Sequence, residues 1–170
     1  DGKNRGDKPY YCPLGWRRWS FYVTDNFDAK FHGWCICYHG TKFEHGLSIL
    51  LNGLKPAIRN QHGPGEYTTP SITYASHPRY AEVKRIPSER RKFFRSGKYI
   101  QFVLECRVHP STIKIDRETL DASKVRIDPN INNDKIEWII NIKGRDIADF
   151  NDPDSQIACT GLMIRITDEH

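Results

Sequence analysis

Hydrophobic residues occur in short blocks along this chain, and the spacing within each block predicts a different element. Residues 34–38 are apolar and aromatic without interruption, which predicts a short buried strand. Residues 43–52 follow with apolar side chains at helical spacing, and Gly53 supplies the left-handed cap that ends many helices. The predicted order over residues 34–53 is therefore a strand, a turn and a helix of about three turns.

The second half of the chain carries the patterns of strands. The longest block, Tyr99 to Val108, predicts a long strand, and shorter blocks predict strands at 112–115, 136–142 and 162–167. Helical spacing is confined to the first half. The sequence therefore predicts an α+β fold with a mostly antiparallel, twisted β-sheet core and a few short helices.

Two segments near the N-terminus have no clear period. Residues 1–9 predict a flexible tail, whereas the aromatic cluster that begins at Tyr10 predicts an ordered segment against the core, partly helical over 17–23. At 170 residues the chain has the size of one domain, so we expect a single domain over residues 10–170.

Glycine, proline and serine divide the middle of the chain. Residues 56–72 predict a long irregular loop that leads into a short extended piece at 66–69. Ser76, followed closely by Pro78, predicts the N-cap of a further helix that reaches about Arg85.

Composition limits the location and the cofactors that we expect. No apolar run approaches the about 20 residues of a membrane-spanning helix, so no membrane partner is expected. The five cysteines are an odd number, and four lie in or beside predicted strands, as free thiols of a reducing compartment do. Their spacing matches no zinc motif, so we expect no metal and an intracellular location, cytoplasmic or nuclear.

The net charge of +5 is concentrated in one segment. Lys84 to Lys98 contains seven basic residues and one acidic residue, and the rest of the chain has a net charge of −1. This basic segment predicts a contact with phosphates, either of a nucleic acid or of a dinucleotide. The alternative is a solvated loop, although Phe93-Phe94 within it favours an ordered or partner-binding segment.

The clearest candidate for chemistry lies where the first predicted strand ends. His39 closes that strand, Gly40 lets a ligand approach the backbone, and Thr41 can cap the following helix. Backbone groups at such an edge can pair with a carboxamide, and an imidazole can hydrogen-bond a ribose hydroxyl. The alternative is an ordinary surface histidine in a turn.

Two further residues are candidates for the same chemistry. Glu137 enters an apolar strand, where a carboxylate is costly unless it is paired or functional, or unless it faces solvent. Tyr67 follows a glycine-rich loop and offers an aromatic plane that could stack on a flat ring, although a lone tyrosine is more often a core residue.

Together these motifs resemble those of the ADP-ribosyltransferase superfamily, in the diphtheria-toxin and poly(ADP-ribose) polymerase branch with a His-Tyr-Glu triad. The branch's His-Gly-Thr motif is matched at 39–41, its Gly-x-Tyr motif at 65–69, and its glutamate at the start of a late apolar strand at 137–140. The resemblance covers about residues 34–168 and is closest to eukaryotic single-domain members. It implies an ADP-ribosyltransferase-like split sheet and NAD as the substrate.

The resemblance also implies a role for each residue of the first motif and for Glu137. His39 would bind the adenosine ribose, the backbone of Gly40 would hold the nicotinamide carboxamide, and Thr41 would belong to the same binding edge. Glu137 would bind the nicotinamide-ribose hydroxyl and stabilise the cation that forms as the glycosidic bond breaks.

Two aromatic rings would enclose the nicotinamide. Tyr67 would form one side, and Tyr80 is the family-like choice for the other, because it lies about a helical turn after Ser76. The interval between Tyr67 and Tyr80 is two residues longer than usual in the family, so Tyr74 remains a rival.

The implied activity is transfer of ADP-ribose to a macromolecular acceptor, either a protein or, through the Lys84 to Lys98 segment, DNA or RNA. The Arg-Ser-Glu arrangement of the cholera-toxin-like branch is missing from the sequence, so arginine-directed transfer is not expected. Two alternatives stay open: an RNA 2′-phosphotransferase-like enzyme, and a catalytically silent module that binds NAD, ADP-ribose or nucleic acid.

Overall fold

The computed structural model describes residues 3–55, 63–94, 97–120, 124–142, 148–150 and 152–169. Short helices and antiparallel strands alternate along the chain, and the predicted α+β class is confirmed. The strands are β1 (Lys3–Arg5), β2 (Lys8–Tyr10), β3 (Arg17–Ser20), β4 (Cys35–Gly40), β5 (Glu66–Thr68), β6 (Val83–Arg85), β7 (Tyr99–Val108), β8 (Ile113–Asp116), β9 (Glu137–Ile140) and β10 (Ile157–Thr167). The α-helices are α1 (Phe27–Lys30), α2 (Phe43–Asn52) and α3 (Ile72–Ala75), and 3₁₀-helices span Ser88–Phe93, Pro110–Thr112 and Asn133–Lys135.

Two larger sheets form the frame of the molecule. The central sheet has the strand order β3-β10-β7-β4, and β6 also pairs with β7 beyond the end of β4. The second sheet has the order β5-β9-β8, and β1 and β2 form a separate hairpin. Every strand pairing in these sheets is antiparallel.

The main core lies between the two sheets and beneath α2. Alternate residues of β4 and β7, among them Cys37 and Leu104, meet Trp138 and Ile140 of β9 in one buried cluster. The four cysteines of the predicted strands are buried free thiols, and Cys12 is exposed. Burying these small apolar side chains stabilises the sheets without needing hydrogen-bond partners for them.

A glycine lets α2 lie close to the central sheet. Helix α2 ends at Gly53, whose φ of 83° provides the predicted left-handed cap. Gly46 faces the sheet, and a Cβ at this position would come within 2.5 Å of Cζ of Phe102. The Phe102 ring is held by an edge-on contact with Phe43, so it has little room to move away.

The structure differs from the sequence-based expectations in the N-terminal part. The predicted helical segment over 17–23 is wrong, because residues 17–20 form β3 and pair with residues 161–164 of β10. All four residues of β3 are exposed, so backbone pairing rather than side-chain burial holds them in a strand. Residues 3–10 form the β1-β2 hairpin where the sequence predicts mainly a tail.

The helix predicted to begin at Ser76 is also wrong. A short helix, α3, ends at Ala75, and Ser71 rather than Ser76 caps it by accepting a hydrogen bond from the Tyr74 amide. The chain then turns and forms β6, so the first part of the basic segment is a strand paired with β7. Part of the predicted loop, residues 56–62, and residues 95–96 of the basic segment lie outside the described residues.

In the described part of the chain, the helices are all too short or too polar to cross a membrane.

We expect Gly46→Ala to destabilise the protein, although alanine favours a helix by about 1 kcal/mol over glycine. The added methyl group would press on the Phe102 ring, and overpacking of this kind costs about 1–3 kcal/mol. Urea denaturation would measure the free energy of unfolding. Ser48→Ala, on the exposed side of α2, serves as the control and should change it by at most about 0.5 kcal/mol. A Gly46→Ala protein as stable as the wild type would contradict this packing.

Candidate functional site

A cleft of about 480 Å³ lies where the central sheet meets the second sheet. The sheets are joined there by an antiparallel bridge between Tyr38 of β4 and Thr69, the residue after β5. Six of the eight site residues that the sequence singles out line the cleft: His39, Gly40, Tyr67, Tyr74, Tyr80 and Glu137. Its size falls in the range of small-molecule sites, which is about 300–1,000 Å³.

His39 is held by the strand that carries Tyr67. Its Nδ1 lies 2.9 Å from the Tyr67 carbonyl oxygen, which can only accept a hydrogen bond, so Nδ1 carries the proton. Burial lowers the pKa of His39, and the bond to Tyr67 opposes that shift only in part. The ring is therefore neutral near pH 7, and Nε2 is an acceptor suited to a ligand hydroxyl.

Gly40 permits the close approach that shapes one wall of the cleft. A Cβ at this position would lie 2.1 Å from the Ala75 carbonyl oxygen and 2.9 Å from Cβ of Tyr80. Only glycine leaves room for the turn between α3 and β6 to pack against β4. Gln101 holds this turn in place, because its Nε2 donates to the carbonyl oxygens of Ser76 and Ala81 at 2.6 and 2.8 Å.

The two rival tyrosines share one hydrogen-bond cluster. The hydroxyls of Tyr74 and Tyr80 are 3.0 Å apart, and each also contacts the Thr119 hydroxyl, at 3.2 and 2.7 Å. Tyr74 is only 2% exposed, and Tyr80 is less deeply buried. Tyr80 is therefore the more accessible of the two rings in the cleft lining.

Glu137 begins β9 and is buried rather than facing solvent, with 4% of its surface exposed. Burial raises its pKa to about 7, and hydrogen bonds with Tyr74 and Thr119 partly oppose that shift. The two partners favour the ionised form of a group that its surroundings would otherwise keep protonated. Glu137 can therefore change its charge near neutral pH.

Glu66 is a second buried carboxyl group in the cleft. It is 1% exposed, its Oε1 has no hydrogen-bond partner among the described residues, and burial raises its pKa to about 7. The sequence-based reasoning included it in the Gly-x-Tyr motif but did not select it as a site residue. The sequence signal that could have identified Glu66 was the presence of a carboxyl residue inside the Gly-x-Tyr motif.

Two predicted binding residues are not part of the cleft lining. Thr41 is buried but does not cap α2, because Lys42 occupies the N-cap position and provides no side-chain cap. The Ser76 hydroxyl donates to the Thr73 carbonyl oxygen at 3.1 Å, which ties it to the end of α3. Neither residue lines the cleft.

The lining residues outside the predicted motifs include Lys55, Arg79 and Thr119. The Arg79 guanidinium donates to the Thr119 carbonyl oxygen at 3.1 Å, across 40 positions of sequence. Such long-range contacts leave no local sequence signal. Within the described residues, no group of three or more histidine, cysteine or acidic side chains is arranged to hold a metal ion.

Comparison with known proteins gives no match: no protein-family model fits this chain, and no curated protein is significantly similar to it in sequence.

Replacing Glu66 by glutamine should stabilise the protein increasingly as the pH rises. The pKa of Glu66 is raised from 4.5 to about 7, so the wild type keeps full stability below pH 4.5 and loses it as the pH rises through about 7. Glu66→Gln avoids this loss, and its advantage should grow to at most about 3 kcal/mol near pH 8.

Urea denaturation at several pH values between about 4.5 and 8 would measure this difference. The matched control is Glu44→Gln, at a carboxyl side chain that is 67% exposed rather than buried. A Glu66→Gln advantage that stays constant with pH would contradict the effect of burial on the Glu66 carboxyl.

Proposed function

We propose that this protein is an NAD-dependent ADP-ribosyltransferase, which cleaves the nicotinamide–ribose bond of NAD and transfers ADP-ribose to a macromolecular acceptor. One observation carries the proposal: His39, Tyr67 and Glu137 come from three distant segments and line the same cleft. Their order and motifs are those of the His-Tyr-Glu branch.

The proposed NAD orientation follows from the atoms that line the cleft. His39 would accept a hydrogen bond from an adenosine-ribose hydroxyl through Nε2, because Nδ1 is already used by the Tyr67 carbonyl. Gly40 would present its backbone groups to the nicotinamide carboxamide at the end of β4. Both interactions need the strand edge that the Tyr38–Thr69 bridge creates.

The proposed nicotinamide site lies between aromatic rings. Tyr67 is fixed by its hydroxyl, which donates to the Gly63 carbonyl oxygen at 2.7 Å. Tyr80 would stack on the other side, because Tyr74 is buried behind it and contacts it edge-on, with ring centroids 5.2 Å apart. On this basis we favour Tyr80 over Tyr74 as the second stacking residue.

Glu137 would act on the bond that breaks. The C–N bond to nicotinamide breaks with its electron pair leaving on the nicotinamide nitrogen, so positive charge develops on the ribose ring. A carboxylate in a site of low water content stabilises that charge. An acceptor nucleophile then bonds to the anomeric carbon and gives up its proton to solvent.

We expect Glu137→Ala to lower the rate of nicotinamide release from NAD roughly a hundred- to a thousandfold, as loss of one stabilising group does in other enzymes. The same measurement with labelled NAD and candidate protein, DNA and RNA acceptors would follow transfer of ADP-ribose. Because the pKa of Glu137 is about 7 and its ionised form is required, the wild-type rate should rise as the pH passes through about 7.

The control for this experiment is Glu44→Ala, on the exposed surface of α2, which should leave the rate unchanged. NAD binding must be measured in parallel for each variant. If NAD binds but neither wild type nor variant releases nicotinamide, the enzyme proposal is wrong and a silent NAD-binding module remains.

The buried thiols support an intracellular location, cytoplasmic or nuclear. Burial raises the pKa of Cys37 to about 12, and Cys106 lies opposite both Cys37 and Cys159 in the strand register. All three are free thiols although they are neighbours across the sheet, as is usual in a reducing compartment.

The basic segment supports a nucleic acid as the acceptor. The basic segment begins within β6, a strand that starts three residues after Tyr80. It continues into the 3₁₀-helix Ser88–Phe93, so much of it is ordered. Arg85, Arg90 and Lys92 are exposed along it, and the Phe93 ring is 74% exposed. Cationic groups beside an exposed aromatic ring suit a phosphate backbone and a base.

If this segment contacts phosphates, DNA or RNA binding should weaken steeply with added salt. Arg90→Ala should remove one contact and reduce the slope of log K against log salt by about 0.9 for duplex DNA. Fluorescence anisotropy at several salt concentrations would measure it. Arg17→Ala, an exposed arginine on β3, is the matched control. No binding at low salt would remove the nucleic-acid proposal.

A further inference from the structure

A second recess, of about 410 Å³, lies beside the β1-β2 hairpin and shares no lining residue with the NAD cleft. Three arginines line it, Arg5, Arg18 and Arg107, together with the buried Glu105. An adjoining recess of about 380 Å³ shares Arg5 and Arg107 with it. We call the two recesses together the arginine groove.

The groove carries more positive than negative charge. Glu105 is 2% exposed and is paired with Arg18, whose Nη2 and Nε lie 2.8 and 2.9 Å from its Oε1. Asp28 lines the adjoining recess, but no carboxylate of the described residues lies within salt-bridge distance of Arg5 or Arg107. Two guanidinium groups are therefore left without a directly paired anion in the described structure.

Arg107 is held in a costly position. Its Nε is buried, with no hydrogen-bond partner in the described part of the chain. Burial lowers its pKa, and the positive charges of Arg5 and Arg18 add to that effect, whereas Glu105 opposes it. An unpartnered buried donor costs about 1–3 kcal/mol, and a bound acceptor would recover that cost.

Aromatic rings orient both unpaired guanidinium groups. The Arg107 guanidinium lies 5.8 Å from the centre of the Phe27 ring, and that of Arg5 lies 5.5 Å from the centre of the Tyr10 ring. Contact with a ring face restricts a guanidinium while leaving N–H groups at its edge for another partner. The two groups are thus prepared to bind an anion.

We propose that this groove binds the phosphate group of a small ligand of nucleotide size, with Arg5 and Arg107 as the phosphate-binding residues. Phosphate offers several acceptor oxygens and up to two negative charges, which match two guanidinium groups better than a single carboxylate does. The volume beside the arginines leaves space for the rest of a nucleotide. This site does not depend on the proposed transferase activity.

Isothermal titration calorimetry of the whole chain with inorganic phosphate, AMP and adenosine would test the proposal. Phosphate and AMP should bind at one site, and adenosine should not bind there. Arg107→Met and Arg5→Gln should each weaken binding roughly ten- to a hundredfold, as loss of a charged hydrogen bond does. Arg117→Met, at an exposed arginine that lines neither the cleft nor the groove, should leave it unchanged.

Thermal denaturation without ligand separates binding from a structural role. Because Arg107 has an unpartnered donor, Arg107→Met should leave the melting temperature unchanged or raise it, whereas loss of a structural arginine would lower it. His39→Ala identifies any AMP that enters the NAD cleft instead. Equal affinity for phosphate and AMP would identify the ion as the ligand, and tighter AMP binding would identify a nucleotide.

Three results would overturn the proposal. One is the absence of saturable binding of phosphate and AMP to the wild type. Another is an equal loss of affinity in Arg117→Met, which would indicate general attraction to a basic protein. The third is binding that His39→Ala abolishes and Arg107→Met preserves, since the ligand would then occupy the NAD cleft.

Discussion

The candidate site depends on one short piece of backbone pairing, the bridge between Tyr38 and Thr69. The amide of each residue donates to the carbonyl oxygen of the other, at 2.7 and 3.0 Å. Both residues are buried, where unpaired backbone groups would be costly, so the bridge is strongly favoured. It joins the central sheet to the second sheet and places His39 against the Tyr67 carbonyl. The positions of β9 and of Glu137 then follow, because β9 pairs directly with β5.

The cleft is built at a cost in stability. Glu66 and Glu137 are both buried carboxyl groups whose pKa values are raised to about 7, so ionising either opposes folding. Burial of the apolar side chains of the main core opposes this cost. A carboxyl group with a pKa near neutral is typical of functional sites, where the charge is needed for chemistry. Glu105 differs, since Arg18 neutralises it directly.

The elements that the sequence predicted well have a strong local pattern. The strand over 99–108 and the helix over 43–52 were found with the bounds that the structure gives, because one has a long apolar run and the other has helical spacing and a glycine cap. Motifs also selected the candidate site residues, and six of those eight residues line the cleft. The wrong predictions concern competition between distant groups: Ser71 takes the capping role expected of Ser76, because a buried hydrogen bond to Asp128 holds its side chain. No local pattern contains that partner, and Thr119 was missed for the same reason.

Strand β7 shows how one alternation serves both the core and the chemistry. Phe102, Leu104, Cys106 and Val108 face the main core. On the other side of the strand, Gln101 holds the turn that carries Tyr80, and Glu105 and Arg107 line the arginine groove. A shift of one residue in the pairing would exchange the two faces and place Gln101, Glu105 and Arg107 in the apolar main core, so the register is strongly fixed. The same pairing that makes the sheet stable therefore places polar side chains at both proposed sites, and neither could be moved along the strand without loss of the core.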